Sequence, residues 1–290
     1  MHGDIFSTRG RLWAGPHDCD LVLLGQRTHV EGAAERAGRQ FELFLCRYAT
    51  GVARPYEEYA LIKRAYCASE TLSGHAQIVA AFDFDGTITT SDSLRDFVRN
   101  TVGNARLVSG IIRAAPWLVG RLIGTCDRGS AKAHFLSATL GGMTRHSLET
   151  AAQQYAANRL LKLIRPEMAV RVQEHRRRGH RLVLVSASPA LYLEIWARSM
   201  GFEAVLATEL EFRDDCFSGR LASPNCWGPE KARRLQQWFG SNPPPVLYVY
   251  GDSRGDKEIL ALADHGWLRA HGRMPAIDAW RGPTPQARST

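Results

Sequence analysis

Short apolar runs that stop abruptly at polar residues recur along the chain, and they predict the strands of a parallel sheet. Val79-Ala-Ala-Phe82 stops at Asp83-Phe-Asp-Gly-Thr87, Arg181-Leu-Val-Leu-Val185 at Ser186-Ala-Ser188, and Val246-Leu-Tyr-Val-Tyr250 at Gly251-Asp252. Unbroken apolar runs of this length suit strands buried on both faces. Ala204 to Thr208 reads as a further short strand, and Glu211 to Leu221 as a hairpin in which Asp214-Asp215 are turn residues rather than metal ligands. Helical spacing fills the intervals. One helix runs from Pro166 through His175 and is closed by Arg176-Arg-Arg-Gly179, which places cations and a glycine at the end that favours them. Others span Ala190 to Met200 and Gly228 to Phe239. Ser91 to Arg165 is helical throughout, with breaks expected at Gly103, Pro116, Gly124 and Gly141-Gly142. Strands alternating with helices predict an α/β fold.

Residues 1–77 stand apart. Asp20 to Gly25 has strand character, and Ala33, Ala37, Phe41 and Phe44 recur at helical spacing, but no chemical motif occurs there. Two readings stay open: a small accessory domain, or translated upstream sequence ahead of a later start, with poor packing expected either way. Residues 271–290, rich in Gly, Pro and Arg, are expected to fray.

The chemistry concentrates where the strands end. Side chains alternate along a strand, so Asp83 and Asp85 emerge on one face, at the carboxyl end where open α/β sheets bind ligands. Two carboxylates that close repel, and a cation or a shared proton must compensate them. Gly86 lets the backbone approach a ligand closely, and Thr87 adds a hydroxyl and an N–H.

At these residues the chain resembles the haloacid-dehalogenase-like superfamily, in its phosphoserine-phosphatase-like branch. The resemblance rests on four motifs in order and covers residues 78 to 270: Asp83-Phe-Asp85-Gly-Thr87, Ser186 after its strand, Lys231 opening a helix within Gly228-Pro-Glu-Lys231, and Gly251-Asp252-Ser-Arg-Gly-Asp256. It implies a Rossmann-like parallel core, made of 78–90 and 166–270, with a small all-helical cap, 91–165, inserted after the first core strand. It also implies roles. Asp83 would be the nucleophile and Asp85 the general acid and base; Gly86, Thr87, Ser186, Ala187 and Lys231 would bind phosphate. Mg²⁺ would be held by Asp83, the carbonyl of Asp85 and Asp252, with Asp256 orienting Lys231 or a metal-bound water. Asp92, Arg128 and Lys132 lie where the cap would meet substrate. The reaction implied is Mg-dependent hydrolysis of a small or lipid-like phosphomonoester through an aspartyl-phosphate. Phosphoserine phosphatase proper, a phosphomutase and a catalytically silent phosphate-binding module remain alternatives.

Composition narrows the picture rather than making it. The 290 residues are 44% hydrophobic and 23% charged, as in an ordinary globular protein. No apolar run is long enough to span a membrane, and the amino terminus lacks the basic start and apolar core of a secretory signal. Six scattered cysteines without a Cys-x-x-Cys pair read as reduced thiols, and a cytoplasmic location is expected. The ten histidines contain no His-Glu-x-x-His, so zinc hydrolysis has no support.

The net charge of +8 is uneven: residues 1–77 hold nine basic and nine acidic residues, whereas 91–165 hold eleven basic and four acidic, a net of +7. A specific nucleic-acid site would need aromatics interleaved with the cations, and the Arg176-Arg-Arg triplet has none. Within the basic segment, Arg106, Arg113 and Arg121 punctuate an apolar stretch that includes Ile112, Trp117, Val119 and Leu122. That pattern reads either as a core helix of the cap or as an interfacial helix in peripheral contact with an anionic membrane. A phosphorylated metabolite and a lysophospholipid-type substrate are both kept as partners.

Overall fold

The structure, a computed structural model, describes residues 78–277. The expectations for 1–77, and for the tail beyond 277, lie outside the described residues.

The first strand, β1 (Val79–Phe82), is buried at every position. β2 (Arg181–Pro189) pairs with it on one side and β6 (Leu247–Gly251) on the other, both parallel, with Phe82 level with Leu184 and Tyr250. β3 (Ala204–Thr208) and β7 (His265–Leu268) complete a five-stranded parallel sheet in the order β3-β2-β1-β6-β7. β1 is therefore the central strand. Its neighbours on each side follow it by separate crossovers, so the carboxyl ends of β1, β2 and β6 meet at one place, the position at which sheets of this kind bind ligands. Val79, Ala81, Val183, Val185 and Val249 form one face of the core, against Leu235 and Ile259. On the sheet itself the Phe82 and Tyr250 rings stack with centroids 4.5 Å apart.

Helices α4 (Pro166–Arg177), α5 (Ala190–Met200) and α6 (Pro229–Phe239) follow the predicted pattern, with Pro at the first turn of α4 and α6 and a left-handed Gly201 after α5. A one-turn helix, α7 (Lys257–Leu260), precedes β7. β4 (Leu210–Arg213) and β5 (Cys216–Leu221) form the expected hairpin. Asp214 and Asp215 have φ of 46° and 60°, which only a tight hairpin turn requires, so they serve as turn residues.

Between β1 and α4 the chain makes three helices: α1 (Ser93–Leu122), α2 (Arg128–Leu140) and α3 (Arg145–Asn158). Each amino end is capped by its own side chain, Asp92, Asp127 and Thr144 respectively. Of the expected breaks, Gly103 does leave helical geometry, at φ 76°, and Gly124 and Gly142 lie in turns. Pro116 differs: α1 runs through it. A proline costs one intrahelical bond, here at an exposed position where water can satisfy the freed carbonyl. The segment leaves and rejoins the sheet at one point. Thr89 bridges Ile164, the Thr90 N–H donates to the Leu163 carbonyl at 2.8 Å, and the Arg165 N–H donates to the Ile88 carbonyl at 2.8 Å.

Candidate active site

Beyond Phe82 the backbone turns sharply. Phe84–Ile88 makes one wide turn closed by the Thr89 N–H on the Phe84 carbonyl at 3.0 Å, with Gly86 at φ 82°. A Cβ on Gly86 would stand 2.1 Å from Asp252 Oδ2, so this position admits only glycine. The turn aims Asp83 and Asp85 into different surroundings.

Asp83 lies at the floor. Its Oδ2 accepts from Thr87 Oγ1 at 2.9 Å and its Oδ1 from Lys231 Nζ. Lys231, 2% exposed, also donates to Asp256 Oδ1 at 2.6 Å. The other oxygen of Asp256 accepts from the N–H groups of Asp252 and Ser253 at 3.1 and 3.2 Å. Asp256 thus ties the end of β6 to the amino end of α6 through Lys231. Burial pushes the Asp83 carboxyl up to about 7, against the pull of Lys231 and with the push of Asp256. Burial alone would lower the Lys231 ammonium, but Asp83 and Asp256 outweigh it and hold the group above its usual range. Asp252 is raised too, first by burial and further by Asp256.

Carboxylate oxygens of Asp83, Asp252 and Asp256 lie within 4.8 Å of one another. One ammonium faces three acids, so the donor set is short of positive charge, and hard oxygen ligands of this kind fit Mg²⁺. Asp256 is engaged through both oxygens, by Lys231 and by two backbone N–H groups, and does not line the cavity; Asp252 and Asp83 do, so these are the carboxylates that would take a cation, Asp83 while also accepting from Lys231 and Thr87.

Asp85 is held to one side. Its Oδ1 accepts from the Ser93 N–H at 2.7 Å, at the start of α1, and its Oδ2 from Ser188 Oγ. Burial raises its pKa and nearby Asp92 adds to the rise, while the bonds from Ser188 and Ser93 oppose it. Ser186, 1% exposed, accepts from the Ser188 N–H at 3.1 Å.

These groups share a cavity of about 190 Å³. Asp83, Asp85, Ser186, Ala187, Lys231 and Asp252 line it from the sheet; Asp92, Arg128 and Lys132 line it from the inserted helices. Gly86, Thr87 and Asp256 lie behind the floor. The Thr87 hydroxyl is committed to Asp83, so it orients a carboxylate rather than facing the cavity, and the Gly86 N–H is shared with Thr89 Oγ1 at 3.3 Å. Lys132 Nζ reaches from α2 to the Ala187 carbonyl at 2.6 Å and Asn225 Oδ1 at 2.7 Å. Burial brings it down to about 8, despite Asp85 and Asp92. The Arg128 guanidinium stacks over the Trp227 ring at 4.5 Å. Arg128 and Trp227 also border a wider groove of about 820 Å³.

Ser93, Ser188, Asn225 and Trp227 were not among the predicted site residues. The sequence carries a signal for Ser188 alone: it stands two positions after Ser186 on a strand, and so on the same face.

The description of haloacid dehalogenase-like hydrolases matches residues 80–261. The chain is similar to Protein CicA of Caulobacter vibrioides, 34% identical over 204 residues that cover 70% of this chain and 90% of that one. It is also similar to the inhibition of morphological differentiation protein of Streptomyces azureus, 27% identical over 62% of this chain and 67% of that one. Among solved structures, a Bordetella pertussis Tohama I protein of unknown function shares the fold with a TM-score of 0.58, at 22% identity over 66% of this chain and 89% of that one. With its parallel sheet, its acids at the ends of β1 and β6 and this match over most of the described residues, the chain belongs to the haloacid dehalogenase-like hydrolase family.

Proposed function

We propose that the protein is a phosphomonoester hydrolase working through a phosphoryl group carried on Asp83, in the phosphoserine-phosphatase-like branch of its family. The observation that carries this reading is the division between its two carboxylates. Burial raises the pKa of both, but Asp83 alone accepts from a buried ammonium, which favours its carboxylate, whereas Asp85 accepts only from the Ser188 hydroxyl and the Ser93 N–H. A nucleophile and a proton donor need opposite protonation states, and unequal surroundings supply them.

Uncatalysed hydrolysis of a phosphomonoester is so slow that the site must supply roughly 20 kcal/mol of transition-state stabilisation. Dividing the reaction lowers each barrier. Asp83 Oδ attacks phosphorus while Lys231 and Ser186 bind the non-bridging oxygens, with N–H groups of the turn after β1 and of Ala187 adding to them. Asp85 gives its proton to the departing alkoxide; it then takes one from the water that cleaves the acyl phosphate and returns Asp83 to a carboxylate. Asp83, Asp252 and the backbone carbonyl of Asp85 would hold Mg²⁺, which when bound offsets the negative charge gathered between nucleophile and phosphate. Helices α1 to α3 act as a cap that excludes water and selects the leaving group.

Two leaving groups suit the walls. Phosphoserine suits the small cavity, where Asp92 could face an amine and Arg128 or Lys132 a carboxylate. A larger, lipid-like ester suits the wide groove joined to that cavity through Arg128 and Trp227. A silent phosphate-binding module would have no need of Asp85, and a phosphomutase would pass the phosphoryl group back to substrate instead of water. Turnover of an aryl phosphate in Mg²⁺, abolished by EDTA, tests the reaction, and a panel of phosphoserine, sugar phosphates and lysophospholipid-type phosphates ranks the leaving groups. Beryllium fluoride bound by wild type but not by Asp83→Asn would support the nucleophile; near-normal turnover by that variant would remove it.

A further inference from the structure

Asp85 is held by a residue that is itself held. Its Oδ1 accepts from the Ser93 N–H, a backbone donor at the first position of α1, where helical N–H groups have no partner inside the helix. The cap of that helix does not compete for it, because the Asp92 side chain takes the Arg95 N–H instead, at 2.9 Å. A peptide N–H aims a carboxylate only as well as its own peptide is fixed. The chain is exposed from Thr90 to Asp92 and wholly buried at Ser93, so the fixing is to be sought in what surrounds Ser93.

Two tyrosines grip Ser93 from different parts of the fold. Tyr155, on α3 of the inserted segment, donates its hydroxyl to the Ser93 carbonyl at 3.1 Å. Tyr192, on α5 of the core, shares a hydrogen bond with Ser93 Oγ at 3.0 Å. The Tyr192 hydroxyl also lies beside Ser188, whose Oγ donates to the other oxygen of Asp85, so both residues that hold Asp85 bear on one phenol. The two tyrosines are fully buried, with ring centroids 5.3 Å apart, and each packs against Phe97, at 5.3 and 4.8 Å. Phenylalanine would fill the same space. A buried hydroxyl is costly without a partner, and the partner that these two share is Ser93. Neither tyrosine lines the catalytic cavity, so neither touches substrate.

We infer that Tyr155 and Tyr192 are positioning residues for proton transfer: together they fix the Ser93 peptide, and through its N–H the Asp85 carboxyl, so that the proton donor is aimed while the inserted segment and the core meet at Ser93. This rests on the proposed function, in which Asp85 serves the leaving group. The experiment compares kcat on an alkyl and an aryl phosphate in Tyr155→Phe, Tyr192→Phe and the double variant. An alkoxide needs the proton of Asp85, and an aryl oxide needs it far less. Each single variant should lower the alkyl-to-aryl ratio of kcat several-fold, and the double variant about tenfold or more, with KM for both esters near that of wild type. Phe97→Leu loosens the same aromatic packing but keeps both hydroxyls, and should leave the ratio unchanged. Asp85→Asn, measured alongside, separates the two readings. If it shifts the ratio and the double tyrosine variant does not, this inference is overturned and the proposed function stands. If Asp85→Asn leaves the ratio unchanged, the proton-donor role falls and the inference with it. A ratio lowered as much by Phe97→Leu as by the double variant would trace the effect to packing and also overturn the inference.

Discussion

The floor and the walls of the cavity are built on different terms. At the floor, Asp83, Lys231 and Asp256 come from three core elements, are almost wholly buried, and bind one another or backbone N–H groups. On the walls, Asp92, Arg128 and Lys132 come from the inserted segment, and of the three Lys132 bonds to the sheet, at the Ala187 carbonyl of β2, with Asn225 of the loop before α6 as its second acceptor. The floor is a closed network in which each member fixes the next. The walls are separate side chains whose positions follow those of two helices. On the proposed function, catalytic geometry would be set by the sheet together with the Ser93 N–H that holds Asp85, and substrate choice by the rest of the inserted helices.

Changes at the floor should do the most damage. If Asp83 is the nucleophile, as proposed, Asp83→Asn should lower kcat on every phosphomonoester by about a thousandfold or more, because an amide is a far weaker nucleophile than a carboxylate. Lys231→Met should cost turnover and stability together. Removing one partner of a buried ion pair costs about 3–5 kcal/mol, which urea denaturation would read, and an unchanged midpoint would show that the network is not closed. Asp85→Asn belongs between floor and wall. It should slow alkyl phosphates about a hundredfold and aryl phosphates far less, and equal losses on both would remove the proton-donor role.

Changes at the walls should be smaller and selective. Arg128→Ala should raise KM several-fold for bulky phosphates while kcat on a small aryl phosphate stays near wild type; a fall in kcat on both would place Arg128 at the floor. The mildest effect is in the pH profile. Lys132, at about 8, is charged below that pH and neutral above it, so affinity for an anionic ester should fall as the pH rises through 8. Lys132→Met should abolish that step and leave the profile flat there.

The floor was legible in the sequence down to its strands; the walls were legible as residues, Asp92, Arg128 and Lys132, but not in what those residues touch, for a physical reason. β1, β2 and β6 announce themselves as apolar runs ending at acids or hydroxyls, and a parallel strand buried on both faces has few other ways to be written. Once the strands are adjacent, Asp83, Ser186 and Asp252 meet without further information. Helix ends were legible as well where Pro and Gly mark them, as at Pro229 and Gly201. The partners of Asp85 were not, since Ser188 lies 103 residues away and Ser93 donates through its backbone, which no residue type encodes. Trp227 and Asn225 acquire roles only because α2 lies across them. The apolar stretch of α1 allowed both a core helix and an interfacial one; the structure buries Leu107, Gly110 and Ala114 and leaves Ile112, Val119 and Leu122 exposed.

The bridge at Thr89 and Ile164 has a consequence for how such enzymes can be remade. A segment whose two ends meet at a hydrogen-bonded junction burdens the core only slowly as it lengthens, by roughly 0.6 kcal/mol of closure entropy per doubling, which the junction's own bonds help to offset. The junction is then a graft point: residues between Thr90 and Leu163 could be exchanged for another helical unit with ends held equally close, and β1 would keep its register. If the inserted helices choose the substrate, as proposed, specificity would be transplantable at two peptide bonds.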